Sequence, residues 1–175
     1  MVRSLIAVGA KIPAVVLAAL ILALPVVAQS LEAKLKDAAG AYERKDFTTA
    51  VNIWRPLADQ GNAEARTLLG AMYWSGEGVP RDHTEAARLY LLAAEQGYAR
   101  AQNNIGFMYG FGEGIPPKDD VQAYKWISLA IQTYTSKNQE RLDQAIKDKA
   151  ALTARMTPAQ VADAERQVRD FRPRP

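Results

Sequence analysis

The chain has 175 residues with no cysteine and one histidine, and its 22 lysines and arginines face 19 aspartates and glutamates. This length suits a single domain. The lack of cysteine excludes a disulfide framework, a thiolate metal site and cysteine catalysis. The lone His83 excludes a multi-histidine metal centre, and a net charge of +3 is too small to favour nucleic-acid binding, which requires a basic stripe.

The first 28 residues have the features of a secretory signal peptide. Arg3 and Lys11 give a positive start, residues 12–27 carry no charge, and small or β-branched residues precede a cleavage point after Ala28. The alternative is an uncleaved membrane anchor, but this stretch is interrupted by prolines and falls short of the ~20 apolar residues that span a bilayer. We therefore expect a periplasmic or secreted protein that begins at residue 29 and is not stably inserted in the membrane.

Residues 31–45 predict a leading helix, after which one sequence pattern recurs with a period of 36. A third, partial copy begins at Asp119, one residue later than the period requires. The positions shared by the first two copies are Asp46/Asp82, Ala50/Ala86, Trp54/Tyr90, Ala58/Ala94, Gly61/Gly97, Ala65/Ala101, Leu69/Ile105, Gly70/Gly106, Tyr73/Tyr109, Gly76/Gly112 and Gly78/Gly114. A fixed period of this length indicates stacked structural repeats.

Each period predicts two helices joined by a glycine-rich loop. Apolar residues three and four apart give helices near 63–74 and 99–110. Asp82 and Asp119 are expected to cap the second helix of each pair. Gly70 and Gly106 lie inside helices, where glycine costs ~1 kcal/mol relative to alanine, so a neighbouring helix should approach closely there. We expect one continuous apolar spine, in which Leu69 and Ile105 share a core.

The pattern lapses after residue 135, and two further helices follow. Residues 136–155 predict an amphipathic helix. The run Thr157-Pro158-Ala159-Gln160 predicts a capping box with proline in the first helical position. We expect a repeat solenoid at 29–135, a helical cap at 136–171, because an open-ended stack needs a polar terminal unit, and a frayed tail at 172–175.

These residues resemble the Sel-one-like repeat family, a solenoid branch related to the tetratricopeptide repeats. The pattern is carried first by Ala65, Leu69, Gly70, Tyr73, Gly76, Gly78, Asp82, Ala86, Ala93, Ala94 and Gly97, and then by Ala101, Ile105, Gly106, Tyr109, Gly112, Gly114, Asp119, Ala123, Trp126 and Ala130. The resemblance implies an all-α, right-handed α-solenoid of antiparallel helix pairs. It also implies adaptor work between proteins, usually without catalysis.

The residues that could act in catalysis, metal binding or phosphate binding are better explained by their places in the repeat. His83 follows a capping aspartate, which predicts an exposed first-turn residue. Glu77 and Glu113 recur because their loop recurs, and no orienting partner for a carboxylate pair is evident. The two glycine-rich loops lack the strand and the Lys-Ser/Thr of a phosphate-binding loop. We assign no catalytic residue, no metal ligand and no cofactor.

The better functional candidates lie on the first helix of each pair, at positions that packing does not require. In helical-pair solenoids these positions line the concave surface. They are Arg66, Thr67, Ala71, Trp74, Gln102, Asn103, Phe107 and Gly110. We predict a groove for a protein or peptide built from Arg66, Trp74, Asn103 and Phe107. In the alternative interpretation, the C-terminal helices fold back and bury these groups.

The sequence therefore predicts a monomeric, non-enzymatic adaptor of the bacterial cell envelope. An envelope enzyme or enzyme regulator, for example one acting on peptidoglycan, is the alternative. A self-assembling array is a third possibility, which the capping helices disfavour.

Overall fold

The computed structural model describes residues 30–115, 117–135 and 138–174. The expected signal peptide lies outside this range. The described residues form only helices: α1 at 30–43, α2 at Phe47–Asp59, α3 at Ala63–Ser75, α4 at His83–Glu95, α5 at Ala99–Phe111, α6 at Asp120–Thr133, α7 at Gln139–Thr153 and α8 at Pro158–Asp170. Within the described part, none of the helices is both long and apolar enough to cross a membrane.

The helix starts follow from side chains that accept free backbone amides. Asp82 accepts from the amide of residue 85, and Asp119 accepts from the amide of residue 122. Thr157 and Gln160 form the reciprocal bonds of a capping box, with Pro158 in the first turn of α8. The predicted caps at all three helices are thus confirmed.

From α2 to α7 each helix packs against the next along the chain, and the fold is an all-α solenoid of helix pairs. The pairs α3/α4 and α5/α6 each occupy one period of the sequence. Counted from Asp46 instead, the partial third copy begins at Asp119 and contains α6, which packs against both α7 and α8. The long-range order of the stack therefore comes from neighbour-to-neighbour contacts, as expected for repeat proteins.

The expectation of a single shared core is wrong. Leu69 belongs to a cluster formed with α1 and α2, whereas Ile105 belongs to the next cluster, which includes residues of α4, α5 and α6. A third cluster joins α6 to α7 and α8. The clusters are linked through α4, which contributes Leu89 to the first and Tyr90 to the second. Since adjacent residues of a helix point about 100° apart, α4 can contribute to two clusters, and the apolar interior divides by repeat.

The two helical glycines lie where helices of one pair approach closely, as predicted. A Cβ on Gly70 would lie 2.9 Å from the Tyr90 ring. A Cβ on Gly106 would lie 2.7 Å from Ile127 Cγ1 and 3.2 Å from the Ala123 carbonyl oxygen. Glycine at these positions lowers the helix propensity but allows the two helices to come into close contact.

The end of the chain differs from the frayed tail that we expected. The ring of Phe171 packs edge-on against Trp126, with centroids 5.5 Å apart. The Arg174 amide donates to the Glu95 carbonyl oxygen at 2.8 Å. Residues 171–174 therefore lie against α4 and α6. The contact between Phe171 and Trp126 and the hydrogen bond of Arg174 hold this segment in place after α8 ends at residue 170.

Candidate functional site

Four aromatic side chains form a continuous row across α3, α4 and α5. His83 stacks on Trp74 with ring centroids 4.3 Å apart, and Trp74 meets Phe107 edge-on at 6.0 Å. Phe107 in turn contacts Phe111 at 4.4 Å. We call these residues the aromatic row. Phe107 is 42% exposed and Phe111 is 62% exposed, so much of this apolar surface faces solvent.

A cavity lies on each side of Phe107. The first, of about 250 Å³, lies between α3, α4 and α5 and is lined by Trp74, Tyr90, Asn103, Asn104, Phe107 and Met108. The second, of about 120 Å³, lies between α5 and α7, and its lining includes Phe107, Phe111, Asp148, Leu152 and Arg155. We call the two cavities and the ridge of Phe107 between them the α5 groove.

One polar group in the first cavity has no hydrogen-bond partner. The side-chain oxygen Oδ1 of Asn103 is buried, and no donor reaches it. A buried acceptor without a partner costs about 1–3 kcal/mol. Burial raises the pKa of the neighbouring Tyr90 to about 12, so its hydroxyl stays neutral at physiological pH.

The second cavity has a charged wall that is partly neutralised. Arg155 donates two hydrogen bonds to the carboxylate of Asp120, at 2.6 and 3.0 Å. Burial raises the pKa of Asp120, but the hydrogen bonds and charge of Arg155 outweigh it and hold that pKa below its usual value. Asp148 also lines this cavity, and it accepts a hydrogen bond from Gln144.

The structure brings together three of the four predicted site residues. Trp74, Asn103 and Phe107 line one cavity. Arg66 does not join them, because its Nε donates to the Ala58 carbonyl oxygen at 3.0 Å and holds the side chain at the α2–α3 connection.

Three positions that we placed on the binding surface are buried. The Thr67 hydroxyl donates to the Ala63 carbonyl oxygen within α3, and Gln102 Nε2 donates to the Ala94 carbonyl oxygen of α4. Gly110 is also buried, with Ala123 and Leu152 close to it. Backbone carbonyls accept from the Thr67 hydroxyl and from Gln102 Nε2, whereas Gln102 Oε1 is buried without a hydrogen-bond partner.

The C-terminal helices do not cover the groove. Both α7 and α8 pack on α6, and the face of α7 at Asp148, Ala151, Leu152 and Arg155 forms the far wall of the second cavity. This wall was not predicted from the sequence. Its signal was the i, i+3, i+4, i+7 spacing of these residues, but that spacing does not say which helix they face.

Two further predictions concern His83 and Glu77. His83 is half-buried against Trp74 rather than exposed, and its Nδ1 lies 3.9 Å from a Glu113 carboxylate oxygen. Glu77 accepts hydrogen bonds from Tyr42 at 2.8 Å and from Ser75 at 3.0 Å. In the described residues, no group of three or more histidine, aspartate or glutamate side chains is arranged to hold a metal ion.

Comparisons with known proteins match this architecture. The Sel1 repeat family matches residues 63–98 and 99–132. A protective antigen present in uropathogenic Escherichia coli strains, whose crystal structure displays an SLR fold, is 26% identical over 81% of this chain and 29% of its own, with a TM-score of 0.70. A Sel1 repeat protein from Oxalobacter formigenes is 33% identical over 62% of this chain and 44% of its own, with a TM-score of 0.55. No curated protein is significantly similar in sequence.

The chain spans less than half the length of either structural relative, so these proteins bear on the repeat region alone. The two family matches coincide with the helix pairs α3/α4 and α5/α6. Sel1 repeats are typically non-catalytic and generally act as scaffolds for interactions between proteins. Residues 63–132 therefore match two tandem Sel1 repeats.

Proposed function

We propose that this chain is a non-enzymatic adaptor that binds a protein or peptide in the α5 groove. The observation that carries the proposal is the exposed part of the aromatic row, which flanks a cavity lined by Asn103 and Asn104. Contiguous exposed apolar surface bordered by polar groups marks interaction sites in soluble proteins.

The chemistry of the groove suits a peptide backbone. Phe107 and Phe111 offer apolar area that an incoming side chain would remove from water. Asn103 and Asn104 line the cavity with side-chain amides, the kind of polar group that fixes the orientation of a bound ligand. Aromatic residues at the centre of an interface often cost 2 kcal/mol or more when replaced by alanine.

The proposal includes export to the cell envelope of a bacterium. It is supported by the charged start, apolar stretch and cleavage point in residues 1–28. Both structural relatives come from bacteria. Export would place the groove in the periplasm or outside the cell, where its partner would be an envelope protein.

Affinity capture from the native envelope tests the proposal when three forms of the chain are compared. Phe107→Ala removes the ridge between the two cavities. Ile146→Ala is the matched control, since Ile146 is 50% exposed on α7 but lines neither cavity. The expected result is a partner retained by the wild-type chain and by Ile146→Ala but lost by Phe107→Ala. Equal retention by all three folded chains would refute the groove.

A further inference from the structure

We propose that the second cavity of the α5 groove takes a basic side chain of the bound protein or peptide, with its stem against two phenylalanine rings and its charged group at Asp148. This inference rests on the proposed function and specifies one contact with the partner. It follows from the few charged groups that line this cavity and from the ion pairs that they already make.

Most of the lining of the second cavity is apolar. Phe107 and Phe111 lie on one side, with ring centroids 4.4 Å apart and a tilt of 35° between the ring planes. Ile127 and Leu152 also line the cavity. Its volume of about 120 Å³ is below the ~300 Å³ at which small-molecule pockets begin, so it suits one side chain of a larger partner. The methylene stem of an arginine or lysine packs on such a surface while the charged end stays at its polar edge.

Among the described residues that line this cavity, only Arg155 and Asp148 are charged. The Arg155 guanidinium is already bound, because it donates to Asp120 at 2.6 and 3.0 Å and to the Gly110 carbonyl oxygen at 3.2 Å. Lys118 also reaches Asp120, at 3.5 Å, but does not line the cavity. The positive charge at the cavity wall is therefore largely offset within the protein.

Asp148 has no such partner. Its Oδ1 accepts a hydrogen bond from the uncharged Gln144 at 2.8 Å, and no lysine or arginine lies within 4.0 Å in the part of the chain that the structure describes. The neighbouring lysines of α7 lie elsewhere: Lys149 Nζ is 4.7 Å from the centre of the Tyr124 ring, and Lys147 lines a different surface depression. A carboxylate has about four acceptor sites, so Asp148 can still accept from a cationic ligand group.

The aromatic rings and the free carboxylate favour the same ligand charge. A cation over the face of a phenylalanine ring is attracted by the ring quadrupole, and Asp148 attracts the same cation. An anion would gain only from Arg155, whose charge Asp120 offsets. A neutral side chain would gain from burial alone. The second cavity therefore prefers a basic side chain to an uncharged one of the same shape.

The test uses three short peptides, acetylated and amidated, that differ only in a central residue: arginine, citrulline or glutamate. Citrulline keeps the shape of arginine and removes its charge. Binding to the ¹⁵N-labelled full chain is followed through the backbone amides of Phe107, Phe111 and Leu152. The arginine peptide should bind roughly 3- to 10-fold more tightly than the citrulline peptide, because an exposed ion pair and a cation–π contact each contribute modestly. This preference should shrink in about 0.5 M salt, which screens exposed charges.

Two variants of α7 make the test specific to Asp148. Asp148→Asn should abolish the preference for arginine over citrulline and leave the affinity for the citrulline peptide unchanged. Asp143→Asn is the matched control, since Asp143 is exposed on the same helix, accepts a similar hydrogen bond from Gln139 at 2.8 Å and lines neither cavity. It should keep the preference.

Four results would overturn the inference: equal binding of arginine and citrulline, tighter binding of glutamate, a preference that survives Asp148→Asn, or no change in these amides with any peptide. Partner capture with Phe107→Ala would still decide the proposed function in each case, because an apolar partner could bind the groove without a basic side chain in the second cavity.

Discussion

Replacing Gly106 by alanine tests whether α5 and α6 approach too closely for any side chain. A Cβ at this position would lie 2.7 Å from Ile127 Cγ1 and 3.2 Å from both the Ala123 carbonyl oxygen and the Ile127 amide nitrogen. Two of these three atoms belong to the backbone of α6 and cannot rotate away. The two helices must therefore separate, and overpacking of this kind typically costs about 1–3 kcal/mol.

Gly110 provides a matched control one turn later in the same helix. A Cβ there would lie 3.5 Å from Ala123 Cβ, an ordinary van der Waals distance. Both substitutions gain ~1 kcal/mol of helix propensity, so the difference between the variants isolates the cost of overpacking. We expect Gly110→Ala to be more stable than the wild type, and Gly106→Ala to be about 1–3 kcal/mol less stable than Gly110→Ala.

Urea denaturation followed by circular dichroism measures this difference, and thermal melts give a second reading. For a domain of this size, 1 kcal/mol corresponds to about 2–4 °C in Tm. Gly106→Leu adds three more carbons and should lower the stability further. If Gly106→Ala proved as stable as Gly110→Ala, the close approach of α5 and α6 would be refuted.

Four further results are expected. Thr157→Ala should cost ~1 kcal/mol in urea denaturation by removing the cap of α8, and no loss would show that α8 starts elsewhere. Asp120→Asn should lower stability near pH 7 by less than about 1 kcal/mol, since Arg155 is partly exposed. Because the folded-state pKa of Asp120 is lowered, this stabilisation is present above the unfolded pKa of ~3.9 and is lost as pH falls further. The denaturation curves of the mutant and the wild type should therefore converge in acid. Phe107→Ala should change stability little, since its side chain is 42% exposed, and a large drop in Tm would make the residue structural. Intact-mass analysis of the exported chain should show cleavage after Ala28, whereas a retained leader would indicate an anchor.

The repeat period and the helix caps could be predicted from the sequence because they depend on local chemistry. An aspartate or threonine before an amphipathic run caps a helix whatever lies around it, which is why the starts of α4, α6 and α8 were predicted correctly. It was harder to predict from the sequence which polar residues face the interior. Thr67 and Gln102 look like surface residues, but both are buried, and backbone carbonyls accept from the Thr67 hydroxyl and from Gln102 Nε2.

The candidate site was predicted in part for the same reason. Trp74, Asn103 and Phe107 follow from their positions in the repeat, so their meeting at one cavity could be anticipated. The α7 wall and the position of Arg66 depend on contacts between helices that no period encodes. The division of the core into three clusters likewise arises from how α4 and α6 turn adjacent residues to opposite neighbours.

Chemical-shift mapping of the ¹⁵N-labelled chain with its captured partner tests the binding surface most directly. The α5 groove predicts that the largest changes fall on the Trp74 indole N–H and on the backbone amides of residues 103–111. Changes confined to α2 and α8, with those signals unmoved, would contradict it.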